Sequence, residues 1–522
     1  YGRFGEGKGL DKGALNFVKK DADAVSAYAM SEALWYATRQ LPENHAVLVC
    51  LGEGLMPKLG ESAEMGSNPQ LGFGRVYARP QVAHWLDERV RRLINDEGYT
   101  WEDFYDETKR GGITIWGAAI DTLENTSRFA TGSETGPLTV LHVFDQPLRI
   151  TRPYEGYVGN LILPREVVDK AAEQSLLVNY RTPRDKVVEA IEATYPGIPR
   201  ENIHVWTLGG SRRETRLGTL WSEWRGAGAH VVESGWTLPS GMEAFTDSGS
   251  YAPTYQVGMW KDGVGAPHVF LCDGYAGSAE AMQAASLEPV LGLEASLCLF
   301  TSKFALSWEQ ERDVMLLDPE SENFRVELER VVGQTLDSER VAEYRDAVRS
   351  ARDAGMPLGR PVVRAHDFFP EKDFRVLAAC GYMCPDPYTG AEPVEPVGKQ
   401  MFRTTVRLAS ERGQKLLAFT FRVMEEDHRA RLVFNPLLVR FFNGEDYETR
   451  PVRISDSGRI RNELQTLCSE ALEHDCQKLR VHFDRIPPEV ISDTHKQKLL
   501  EVLQWYKREH PVWFDWLEVV AP

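Results

Sequence analysis

The sequence predicts a layered α/β (α+β) sandwich, and three observations carry that expectation. Short apolar runs recur along the first 300 residues, helical patterns fall between them, and most runs close on a Gly or an acid. Strands that alternate with helices bury their sheet faces under those helices. Functional groups then gather at the carboxyl ends of the strands. The chain has 522 residues, 42% hydrophobic and 26% charged, which allows two or three packed units of ordinary globular composition.

The elements follow in order. Residues 1–18, with Gly2, Gly5, Gly7, Gly9 and Gly13, read as a flexible arm. Its Gly-x-Gly-Lys-Gly run lacks the Lys-Ser/Thr ending of a P-loop and follows no strand. Asp21 to Arg39 has helical phasing, with Met30, Leu34 and Ala37 on one face. Ala46–Cys50 is a short strand that leads to Gly52-Glu53-Gly54. Trp85–Asn95 is a helix, 113–120 a strand, and Leu138–Phe144 a strand. Leu176–Tyr180 reads as a strand running into Arg181-Thr182-Pro183-Arg184, with a helix from Asp185 to Thr194. His204–Leu208 is a strand ending at Gly209-Gly210. His268–Leu271 is a strand ending at Asp273-Gly274, with a helix over Ser278–Ala285. Residues 307–358 are charged and helical, 375–443 return to strands such as Leu416–Phe421 and Leu432–Phe434, and the chain from Gly458 onward reads as mainly helical. Divisions are expected near residues 165, 305 and 430.

Composition limits function. The formal net charge of -17 disfavours general nucleic-acid binding, which needs many cationic contacts to phosphates. It does not disfavour a small phosphorylated ligand held by local Arg and a cation. No run of eighteen apolar residues occurs, so no membrane partner is expected. Seven scattered cysteines fit a reducing, cytoplasmic setting. Cys380 and Cys384 lack a second pair at zinc spacing.

The most informative stretch is Ala118-Ala119-Ile120-Asp121-Thr122-Leu123-Glu124-Asn125-Thr126. An apolar strand leads into two acids spaced i, i+3, followed by a hydroxyl residue. Asp121, the Leu123 carbonyl and Glu124 form the oxygen set that a hard cation such as Mg²⁺ prefers. A helix starting at Thr126 would offer N–H groups to a phosphate. The same residues also read as an acidic turn with Thr126 as helix N-cap. Asn125-Thr126-Ser127 fits a glycosylation sequon, which its place in the motif argues against.

That segment, continuing to Thr131-Gly132, resembles the Asp-Pro-Ile/Leu-Glu/Asp-Gly-Thr motif of the lithium-sensitive, magnesium-dependent sugar and inositol phosphatases. The resemblance is nearest to the class II fructose-1,6-bisphosphatases. Further pieces fall in the same order. They are Lys19-Lys20-Asp21-Ala22-Asp23, Gly52-Glu53-Gly54 with Pro57, Leu59, Gly60 and Glu61, Tyr157-Val158-Gly159-Asn160-Leu161, Pro183-Arg184, Gly277-Ser278-Ala279-Glu280-Ala281 and Ala378-Ala379-Cys380-Gly381.

The resemblance implies a sugar-phosphatase fold of alternating α and β layers. Residues 19–165 would form a metal-binding part and 166–305 a sugar-binding part. Residues 306–430 would form a helical insert with strands that complete the fold, and 431–522 an added region suited to oligomer contacts. Glu53, Asp121, the Leu123 carbonyl, Glu124 and Glu280 would hold two or three Mg²⁺ or Mn²⁺ ions. Asp23 would sit near the attacking water. The family's preceding acid falls on Val18, with Asp21 or Asp11 as replacements. Thr126 and Ser127 would meet the scissile phosphate. Tyr157, Arg181, Arg184, Gly210 and Ser211 would hold the sugar or a second phosphate. The implied activity is hydrolysis of a sugar bisphosphate, fructose 1,6-bisphosphate first, by a cytoplasmic homo-oligomer. Another sugar or inositol phosphate, or an inactive scaffold that kept the fold, are the alternatives. The departures are Thr122 and Asn125 at the motif's Pro and Gly positions, Thr182 and Asn160 in place of lysines, and Gly209-Gly210-Ser211 in place of Asp-Gly-Asp. Arg212, Arg213 or Asp273 would compensate, although a structural role suits Asp273 better.

Overall fold

The computed structural model describes residues 4–52, 74–96, 98–150, 157–247, 251–300, 306–353, 364–382, 394–398 and 401–422, a few single residues between them, and three short strands beyond 438. The first strands are β1 His45–Leu51, β2 Val76–Ala78, β3 Thr114–Glu124, β4 Leu138–Phe144, β5 Tyr157–Pro164, β6 Ile203–Trp206, β7 His230–Val231, β8 Gly258–Lys261, β9 Pro267–Gly277 and β10 Leu293–Phe300. They are followed by β11 Val376–Tyr382, β12 Glu395–Gly398, β13 Met401–Ser410, β14 Gly413–Arg422, β15 Val439–Phe442, β16 Lys478–His482 and β17 Leu517–Val520.

Two mixed sheets and their helices make a layered α/β fold. One sheet runs β12-β13-β11-β4-β3-β1-β2, with β14 on the second edge of β13. The other runs β10-β5-β9-β6-β7, with β8 also on β9. Strand alternation assigns the faces. On one face of the first sheet, Val47, Val49, Tyr77, Ala118 and Ile120 pack on Ala27 and Leu34 of the helix Lys12–Gln40. Ala46, Leu48, Cys50 and Ala119 point the other way, into a core shared with Leu86, Val90 and Phe104 of two further helices. Each fully buried Val, Leu, Ile or Phe among them contributes about 1.5–3 kcal/mol. In the second sheet, Asp273 faces Arg184 and Trp224 on outer helices. Its neighbour Cys272 faces Thr254 on the inner side. The helix Ser278–Ala285 lies between the sheets, with Gln283 Nε2 donating to the Ala119 carbonyl of β3 at 3.0 Å.

Several expectations are corrected. The N-terminal arm is docked from Phe4 onward: Gly5 and Gly7 N–H donate to the Phe129 and Ala130 carbonyls at 3.0 and 2.8 Å. A Cβ at Gly7 would come within 2.9 Å of that Ala130 oxygen, so the close approach needs glycine there. The first helix starts at Lys12, because Asp11 caps it by accepting from Gly13 and Ala14 N–H. Leu176–Tyr180 is not a strand. Asn179 accepts from Arg181 N–H and Thr182 Oγ1 accepts from Asn179 N–H, so side chains hold it as a turn. Beyond Gly458, where the sequence reads as mainly helical, the described residues include β16 and β17, which form a three-stranded sheet with β15. Leu432–Phe434 lies outside the described residues. Residues 376–382 and 401–422 do return to the first sheet, β11 pairing with β4 from Val376↔Phe144 to Tyr382↔Leu138.

Candidate functional site

β3 carries both acids of the motif inside the strand, rather than in a turn after it. Asp121 pairs with Val140, but Glu124 pairs with Leu138, so β3 bulges between the acids. A bulge bends the strand and re-aims its side chains. Asp121 folds back to accept from Leu123 N–H at 3.0 Å. Asp121 and Glu124 are 9% and 4% exposed, a placement that carboxylates adopt with a charge-compensating partner or by holding a proton.

The turn that follows depends on Asn125, which has φ 65° and ψ 40°. The left-handed region is open to Gly and, among other residues, best to Asn. Asn125 therefore suits this left-handed turn, and it is the N-cap position, with Thr126 the first residue of the helix Thr126–Thr131. Asn125 is buried and its Nδ2 donates to the Gly136 carbonyl at 3.1 Å, so the sequon is closed to glycosylation in the folded chain. Thr122, at the Pro position, places Oγ1 2.8 Å from Ser26 Oγ.

Thr126 joins two elements. Its hydroxyl lies 2.9 Å from Asp23 Oδ1 and 2.9 Å from the Leu123 carbonyl, so one proton is shared between two acceptors. Asp23, Leu123, Glu124 and Thr126 are thus gathered at the end of β3. Glu280, in the first turn of Ser278–Ala285, reaches the same place. Gly249, at φ 70°, marks the contact: a Cβ there would run into Glu124 Oε1 and come within 3.0 Å of Glu280 Oε1. Sequence patterning gave no signal for Gly249, because the contact is made by residues 125 and 31 positions away.

The segment around Gly249 also ties the site to the second sheet. Gly209 N–H donates to the Thr246 carbonyl at 2.7 Å. Arg213 donates to the Gly209 and Asp247 carbonyls at 3.2 and 2.9 Å, and Arg128 holds the Asp247 carboxylate at 2.9 Å. Gly210 has φ 94° and opens the short turn Ser211–Arg213, with Ser211 exposed.

Other expected residues are placed differently. Arg184 is withdrawn from any ligand: it is 1% exposed, and its Nε and Nη2 grip Asp273 at 2.7 and 3.1 Å. Its Nη1 donates to the Tyr180 and Thr182 carbonyls, which engages the whole guanidinium. Asp273 also accepts from Trp224 Nε1 at 2.7 Å, and so has the structural role. Arg181 is exposed and lies 3.6 Å from Asp313. Ser127 is exposed on the first helical turn. The backbone of Tyr157 pairs with Gly277, next to the helix bearing Glu280; its side chain lies outside the described residues, as does all of Glu53.

The donor set suits a hard divalent cation in kind, being all oxygen and largely buried, and the Glu124 and Glu280 carboxylates close on Gly249 so tightly that a Cβ there would overlap Glu124 Oε1. Among the described residues no three His, Cys, Asp or Glu side chains already enclose a metal-sized point. Also among them, no helix is long and apolar enough to cross a membrane. No protein-family model matches the chain, and no curated protein gives a significant match.

Proposed function

We propose that this chain is a metal-dependent phosphomonoesterase of the sugar-phosphatase type, acting on a phosphorylated sugar. The observation that carries the reading is the convergence of Asp23, Leu123, Glu124, Thr126 and Glu280 at the bulged end of β3. Asp121, Glu124, Glu280, the Leu123 carbonyl and Glu53 would hold Mg²⁺ or Mn²⁺. Such ions, when bound, offset phosphoryl charge and lower the pKa of water. The chain's own residues do the positioning. Asp23 and Thr126, joined at 2.9 Å, would orient a water, with the Asp23 carboxylate accepting its proton. Thr126 and Ser127, which open the helix Thr126–Thr131, would meet the phosphate.

Fructose 1,6-bisphosphate is the first substrate to try. The burial of Arg184 favours a second reading, another sugar or inositol phosphate, because that guanidinium is closed to a distal phosphate. The test is phosphate release from a panel of sugar mono- and bisphosphates and inositol phosphates with Mg²⁺ or Mn²⁺. Release from fructose 1,6-bisphosphate supports the first reading, and release from another compound alone supports the second. No release from any compound, in folded and metal-supplied protein, would leave the inactive scaffold.

A further inference from the structure

His142 is fully buried on β4 and bridges the elements that carry the site. Its Nδ1 lies 2.7 Å from Ser286 Oγ, directly after the helix bearing Glu280. Its Nε2 lies 2.9 Å from the hydroxyl of Tyr251, two residues after Gly249. Ser286 Oγ donates its one proton to the Gln283 carbonyl at 2.9 Å, so it must accept from His142. Nδ1 therefore carries the proton, and Nε2 accepts from Tyr251. The remaining lone pairs of the Tyr251 hydroxyl face Tyr255 Oη at 2.9 Å and Cys380 Sγ at 2.8 Å. The chain Ser286–His142–Tyr251 thus has a single consistent direction of donation.

The backbone gives this chain its leverage. His142 pairs with Ala119, and β3 runs on from Ala119 to Asp121 and Glu124. From that one register the imidazole bonds to Ser286, which caps the helix that brings Glu280, and to Tyr251, two residues after Gly249. No apolar residue of similar size both donates at one end and accepts at the other.

We propose that His142 is a positioning residue of the carboxylate site, setting the spacing of Glu124, Glu280 and Gly249 through Ser286 and Tyr251. The inference rests on the metal-dependent reading above. Outer partners of metal ligands typically change metal affinity by about 10–100-fold when removed.

The test is Mn²⁺ binding to the full chain, read from the paramagnetic resonance signal of free Mn²⁺, together with thermal unfolding. Wild type, Glu124→Gln, His142→Phe, Tyr251→Phe and a distant core variant, Leu220→Ala, are compared. The expected result is weakening by about tenfold in His142→Phe and in Tyr251→Phe, with no further loss in the double variant. Leu220→Ala should lose stability and keep its affinity. Tyr251→Phe keeps the ring and decides the matter if His142→Phe does not fold. Unchanged Mn²⁺ affinity in the folded variants, with wild type binding and Glu124→Gln not, would overturn the role of His142 alone. Absence of binding in wild type would overturn both this role and the metal-dependent reading.

Discussion

At the scale of single residues, two backbone positions decide whether the motif works. Asn125 holds a left-handed conformation that a side chain with a β-carbon adopts only at a cost. Asn125→Gly should cost about 1 kcal/mol, from the lost bond to Gly136. Asn125→Ala should cost roughly 1 kcal/mol more, from the strained φ. Urea unfolding of both variants checks the difference, and equal stabilities would contradict it. Gly249→Ala puts a methyl group onto the Glu124 carboxylate and strains φ at once. It should lose Mn²⁺ affinity by at least the ~10-fold of an outer-partner change, read by calorimetric titration. The acids at 121 and 124 and the hydroxyl at 126 were legible in sequence because they are local. Gly249 and His142 were not, because a long-range contact leaves no periodicity behind.

At the scale of elements, regular strands and helices were readable where one physical cause dominated. Leu138–Phe144 and Ser278–Ala285 occupy the expected residues, the first as an alternating buried strand, the second as a helix following directly on a strand. The expectation failed where side chains took over from the backbone ladder, as at Asn179 and Thr182, or where an apparently free arm found a partner, as at Gly5 and Gly7. The turn before Arg184–Thr194 illustrates the same point. Pro183-Arg184 looked like a ligand-binding turn, yet its Arg is spent on Asp273 inside the second layer. Arg184→Met should therefore destabilise by about 3–5 kcal/mol, since it leaves a buried carboxylate uncompensated. Arg184→Met with Asp273→Leu should recover most of that loss in urea unfolding. The double variant should keep the wild-type KM for any substrate found; a raised KM would return Arg184 to the binding site.

At the scale of the whole molecule, buried titratable groups tie stability to pH from both sides. Burial pushes His142 down to about 3. His204 is pushed to about 3 by burial and by His230 and His268, which hydrogen-bond to it at 2.8 and 2.9 Å. Both rings are neutral in the folded chain, while the unfolded chain protonates them below about pH 6.5. Stability should fall as pH drops from 6.5 toward 3, and His204→Phe should flatten that slope in thermal melts. Glu288 works in the opposite direction. Burial, with Glu294 beside it, raises its carboxyl to about 8. The folded chain then holds a proton that the unfolded chain releases above about 4.5, so stability declines between 4.5 and 8. Glu288→Gln should remove that decline and raise the melting temperature at pH 8. The central claim concerns the end of β3, where two layers meet over Glu124. Its most direct test is the rate of phosphate release from the preferred sugar phosphate with Mn²⁺, in wild type and in Glu124→Gln protein of matched folded content. Release should require the metal and fall by at least about 100-fold in the variant, since losing a ligand costs no less than the ~10–100-fold of losing a ligand's outer partner. Equal rates in the two proteins, or release that persists in a chelator, would contradict it.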